Sequence, residues 1–380
     1  MSMQALVRKA KNAYISTFGF HTDEHLLVIE SDDWGSIRTP SRETFLKLQA
    51  EGDHPEKDAF LRSDCLESQE DLDSLFALLR SVRDGRDHPA VVTANFAMAN
   101  PDFDRIDYEK GIYHNESFLE TYKRYGHREN NLQMIKDAYK EGSFVPQLHC
   151  REHLNVRRWM RDLAEKKKDT LWAFREKMVG IGASFTGANQ FAYMDAFNYD
   201  TPAACEDLAN ILKEAQAQFE SVFGFKSETF VASCFVWGTP LEKVMQEISI
   251  RGIQCGEWQL APTSGEGTLG IKRRLHYTGQ RSSGGQLISV RNCSYEPAYY
   301  HNPKTCAKDC FRQVAYAFAH RKPAIVNSHR FNYIDTIQPG NAEKNRQGLK
   351  TFLDMVLQAY PDVQFISSVD MHKKMRETIR

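Results

Sequence analysis

The sequence predicts an α/β protein built on a parallel sheet. Three observations carry this: apolar runs of strand length recur along the chain, a segment of helical period follows most of them, and many of the runs end in polar or ionisable residues. The strand candidates are 25–33, 90–98, 144–150, 229–234, 253–258, 287–290, 323–330 and 363–369. Between them lie helical patterns at 42–50, 69–82, 130–140, 156–177, 203–223, 241–251, 306–320 and 344–360. A strand followed by a helix returns the chain to the same edge of the sheet, so successive strands run parallel. No Pro/Ser/Gly-rich linker, low-complexity tract or internal repeat interrupts the 380 residues, and one domain over 1–380 is expected.

Composition narrows the partners. With 41% apolar residues the chain can bury a substantial core. Its 49 basic and 50 acidic residues leave a net charge of −1, so no global field draws it to nucleic acid or to an anionic membrane. Residues 1–14 are basic and mildly amphipathic without the apolar core of a signal peptide, and no run approaches about 18 apolar residues. A soluble, cytoplasmic protein acting on a small or neutral molecule is the expectation. The eight cysteines are scattered with no C-x-x-C pair, which reads as reduced thiols, and Cys306 and Cys310 read as one helix face.

In a closed parallel barrel the chemistry sits where the strands end. The strand ends here carry Asp32 and Asp33, Asn95, His149 and His153, Cys234, Glu257 and Trp258, and His329. Asp32 and Asp33 leave their strand in different directions, so one can bind a metal while the other faces a substrate; as a pair they also suit turn caps. His149 and His153 stand at H-x-x-x-H spacing, which a helix face or a tight loop can converge. Two neutral imidazoles and one carboxylate make a facial metal site with open positions. His329 ends the run P-A-I-V-N-S-H.

These pieces resemble the polysaccharide deacetylase family. Asp32-Asp33 is similar to its Asp-Asp first motif, His149 to His153 to its H-[ST]-x-x-H second motif, and 325–329 to its final strand with a catalytic histidine. The order along the chain is the family's order, spread over about 300 residues as a barrel requires. The resemblance implies a distorted parallel (β/α) barrel of seven to eight strands with its active site at the C-terminal strand ends. It departs from the family at Cys150, at 233–237 where an arginine and prolines are expected, and at Glu257-Trp258 in place of Asp-Trp. A divergent member is implied, in which Arg38, Arg151 or Arg330 replaces the missing arginine.

The implied activity is removal of an acyl group from an N- or O-acylated sugar. Asp33, His149 and His153 would hold a divalent ion, zinc being the expected one; Asp32 would be the base and His329 the acid. A backbone N–H after Cys234 would help hold the oxyanion, and the acid should face the base across the barrel mouth. Aromatic faces for a sugar ring are available at Trp159, Trp172, residues 185–193, Trp237, Trp258 and residues 295–300. Two rivals remain: a metal-using glycosidase with Asp102 or Glu257 as nucleophile, and a catalytically silent carbohydrate-binding barrel.

Overall fold

The computed structural model describes residues 11, 13–52, 54–181, 193–265, 268–300 and 302–379. The basic segment 1–10 and the aromatic residues Phe185 and Phe191 lie outside the described residues. Among the described residues fourteen strands occur in the order β1 Leu26–Trp34, β2 Val92–Ala97, β3 Ala99–Pro101, β4 Asn115–Ser117, β5 Phe144–Cys150, β6 Thr229–Val231, β7 Gly252–Cys255, β8 Trp258–Gly265, β9 Thr268–Leu275, β10 Gln280–Arg281, β11 Leu287–Val290, β12 Cys293–Ser294, β13 Ala324–His329 and β14 Gln364–Phe365. The main sheet runs β10-β11-β7-β6-β5-β2-β1-β13-β12, and β14 pairs with β1. Its pairings are parallel except that of β10 with β11.

Strand order and chain length together roll this sheet up. β11 and β12 lie near opposite ends of the path, yet only Arg291 and Asn292 separate them in sequence. Three peptide steps span at most about 11 Å, so the two ends must meet. The hydrogen bonds agree: Arg291 N–H donates to Cys255 O of β7 at 2.9 Å, and Asn292 N–H to Ile325 O of β13 at 3.1 Å. The result is a distorted barrel whose seam is crossed by the covalent chain. A helix at Ser368–Thr378 packs over the seam, with its Met371 and Met375 against Val28, Ile325 and Leu287.

All nine residues of β1 are buried, as the central strand of a covered parallel sheet requires. Leu27 and Ile29 enter the large core between sheet and helices, whereas Val28 joins the apolar cluster inside the barrel. The same inward register carries Glu30 and then Asp32, so the interior changes from an apolar floor to a charged upper layer. Helix starts follow their sequence signals: Ser68 and Ser367 form capping boxes with Asp71 and Asp370, and Thr201 caps the 22-residue helix Pro202–Phe223.

Each strand expected from the sequence contributes to the main sheet, 144–150 and 287–290 with the expected bounds and the others with shifted ends. The expected helix 156–177 is two helices, Val156–Ala164 and Lys168–Arg175, broken where Lys166 turns left-handed at φ 56° in a run of three lysines. The end of the strand candidate 363–369 is the start of the seam helix, because Ser367 caps it. The hairpin β8–β9 and the edge strands β10 and β12 carried no clear period. Among the described residues no helix is long and apolar enough to cross a membrane.

Candidate metal centre and its cavity

At the C-terminal ends of β1, β5 and β13 a cavity of about 760 Å³ opens, lined by Asp32, Asp33, His149, His153 and His329 together with loop residues. Adjacent side chains on a strand should point to opposite faces, which would send Asp33 into the helices. It lines the cavity beside Asp32 instead, because its φ is +76° and the β1–β2 register shifts between Ser31 and Trp34. Aspartate tolerates this left-handed conformation better than most residues.

Asp33 Oδ1 lies 3.4 Å from His149 Nε2 and 3.3 Å from His153 Nε2, and the three ligand atoms lie within 4.8 Å of one another. His149 reaches this point from β5 and His153 from the tight bend after it. His149 Nδ1 is 2.8 Å from Val231 O, so Nδ1 carries the proton and Nε2 offers its lone pair to the cavity. Burial drives the His153 imidazole down to about 3 despite the Asp33 charge, so it is neutral at pH 7. Asp33 Oδ1 is buried without a hydrogen-bond partner. Burial opposes its ionisation, but the surrounding imidazoles and Arg38 hold its carboxyl well below the usual range. An ionised oxygen and two imidazole nitrogens thus converge on one point, an arrangement that fits a divalent cation in donor type and number.

Asp32 is treated differently. Arg291 Nη1 donates to its Oδ2 at 2.6 Å and Nη2 to its Oδ1 at 2.7 Å, a two-pronged pair, and Asn95 Nδ2 adds 2.7 Å to Oδ1. Burial resists ionisation, yet Arg291 outweighs it and brings the carboxyl down to about 2. Arg291 Nε also donates to Glu30 Oε2 at 2.7 Å, and Ser368 of the seam helix donates to Glu30 Oε1 at 2.6 Å.

The arginine beside Asp32 is therefore not one of those the sequence nominated. Arg151 pairs with Glu152 and Glu214, and Arg330 lies wholly buried on Asp64 and Glu67. Arg38 pairs with Asp64 at 3.3 Å and stands 3.9 Å from Asp33 Oδ2. Arg291 was missed although its signal was present, since it directly follows the strand 287–290 and so ends that strand.

His329 is the register partner of Asp32 on the adjoining strand, with both side chains in the cavity. The expected placement across the mouth is corrected: parallel β1 and β13 are hydrogen-bonded neighbours. His329 Nδ1 lies 2.6 Å from Glu296 Oε1, which also accepts from Asn327 Nδ2 at 2.7 Å. Burial works against the imidazolium, but Glu296, with Asp33 and Asp32 behind it, lifts the group to about 9. Glu296 follows the two-residue strand β12 and had no sequence signal of its own.

Other expectations fail on geometry. The N–H groups after Cys234 are engaged, Phe235 to Ala232 O at 2.8 Å, Val236 to Ser233 O at 3.1 Å and Trp237 to Leu260 O at 3.2 Å, so none is free for an oxyanion. Asp102 pairs with Arg124 and Glu257 with Lys11, and neither lines the cavity. Of the expected aromatic faces, Tyr193 and Tyr299 do line the cavity, joined by Phe60 and Phe235, whereas Trp159 and Trp237 are core residues and Trp172 and Trp258 do not line it.

No protein-family model matches the chain, and no curated protein matches it. Among solved structures it is similar to a 4-α-glucanotransferase from Thermococcus litoralis, at 10% identity and TM-score 0.46 over 92% of this chain and 40% of that one. It thus spans well under half of that protein's length. It is similar to a probable polysaccharide deacetylase from Pseudomonas aeruginosa PAO1, at 10% identity and TM-score 0.44 over 94% and 93% of the two chains. A Puue allantoinase gives 11% identity and TM-score 0.44 over 96% and 95%.

Proposed function

We propose that this chain is a metal-dependent hydrolase that removes an acyl group from an N- or O-acylated saccharide. The observation that carries the reading is the convergence of Asp33, His149 and His153 beside an ionised Asp32 and a protonated His329 in one cavity. In this reading Asp33, His149 and His153 hold a divalent ion, zinc in our assignment. Such an ion polarises an acyl carbonyl and makes water acidic enough to attack near neutral pH.

Asp32 accepts the proton of the attacking water. Arg291 keeps it ionised and aims it, because two fixed donors leave the carboxylate one orientation. His329 carries the proton that the departing nitrogen or oxygen needs, and Glu296 sustains that charged form. A carboxylate well below neutrality and an imidazolium well above it are the protonation states that a base and an acid require at the start of a hydrolytic cycle.

Metal analysis of the purified protein, paired with an acetate-release screen over N- and O-acetylated sugars, tests this. The reading requires about one bound divalent ion per chain, its loss in Asp33→Ala, and acetate release that stops on chelation and returns with added metal. A wild-type protein that binds no more metal than Asp33→Ala removes the reading.

A further inference from the structure

The cavity has a wall whose charge the hydrolytic reading leaves unused. One side is built by a turn at Pro55–Lys57 and a short helix at Ala59–Ser63. This wall is fixed in place: buried Arg62 donates to Glu56 O and, at 2.6 Å, to Ala298 O at the foot of the helix Pro297–Tyr300. Phe60 lines the cavity edge-on to His329, ring centroids 5.4 Å apart, with the Arg38 guanidinium 4.4 Å above its own centroid.

Most charges around the cavity are committed to protein partners. Asp32 is paired with Arg291, His329 with Glu296 and Arg38 with Asp64. Asp58 accepts from the N–H groups of Phe60 and Leu61, and His54 and Gln49 occupy Glu56. Lys57, exposed, lines the same cavity, and among the described residues no hydrogen bond or ion pair engages its ammonium group. An unpaired cation at the rim of a site attracts an anionic group, and Arg38, stacked on Phe60, lines the same cavity. The size points the same way, since about 760 Å³ lies within the range of pockets for small molecules of one or two sugar rings.

We propose that the cavity takes a small acylated saccharide bearing an acidic group, a carboxylate or a phosphate, which Lys57 receives beside Arg38. This rests on the hydrolase reading for the acyl group but not for the charge selection, and the two can be tested apart. Calorimetry on metal-loaded protein compares glucose, glucuronate and glucose 6-phosphate, none of which can turn over. At least one charged sugar should bind about tenfold tighter than glucose, and comparing the two tells carboxylate from phosphate. Lys57→Gln should erase the preference and Lys57→Arg should keep it.

With the acetylated counterparts as substrates, the Lys57→Gln loss should fall on KM for the charged one. Equal affinity for all three sugars, or a charge preference that survives Lys57→Gln, overturns the proposal. A Lys57-dependent preference with no acetate release from any substrate sinks the hydrolase reading and leaves the anion site standing. Acetate release without a charge preference does the reverse.

Discussion

Asp32 and Asp33 are neighbours on β1 and both are withdrawn from solvent, yet each oxygen of the first has a donor while Oδ1 of the second has none. The first belongs to a closed network with Arg291, Asn95 and Glu30. The second faces two imidazole nitrogens across 3.3 and 3.4 Å. A buried polar group without a partner costs about 1–3 kcal/mol, so a fold keeps one where a ligand completes it. The closed network supports the barrel and orients a carboxylate; the open one has the donor set of a cation site.

Breaking the closed network should have the largest effect. Arg291→Met leaves Asp32 and Glu30 as buried carboxyls without their cation, and urea unfolding should show a loss of about 3–5 kcal/mol. Stability unchanged within error would make the network incidental. Asp32→Asn should keep metal content while lowering turnover by about two to four orders of magnitude. Metal loss in that variant would exchange the roles of the two aspartates.

The pH profile probes the neighbouring imidazole. His329 sits at about 9, raised from an ordinary 6.5, so its pairing with Glu296 stabilises the fold fully below about 6.5, and that contribution fades as pH rises through 9. Activity that needs the imidazolium should fall above pH 9. In Glu296→Gln that alkaline limb should move toward neutrality, and an unmoved limb would separate Glu296 from the proton. The smallest effect is expected at the open cluster. Asp33→Asn keeps a side chain that tolerates φ +76° and removes a buried charge, so metal-free stability should change by no more than about 1 kcal/mol while metal binding is lost. A large drop would mean that Asp33 supports the fold even without a ligand.

The sequence made the strands legible because each central one is a short buried run with a polar end, and Asp33, His149 and His153 lie on two such ends. It did not make neighbours legible. Periodicity says which residue ends a strand, but the adjacency of β13 to β1 follows from the closing of the whole barrel. Arg291 was within reach of the same strand-end rule and was passed over. Glu296 was not within reach, since a two-residue strand has no period. Asp33 stands in the site as expected, but what brings it into the same cavity as Asp32 is a single left-handed residue, which strand alternation does not announce.

The pairing of β1 with β13 has a consequence during synthesis. Asp32 and His329 lie about 300 residues apart in the chain but side by side in the sheet. At about 5–20 residues per second, a ribosome needs about 15–60 s to deliver the second after the first. Through that interval β1 has one open edge, and its acid has neither Arg291 nor His329 nearby. The charged strand end therefore meets its charged partners only after about 260 to 300 further residues have been made, and until then water and Asn95 are what Asp32 has.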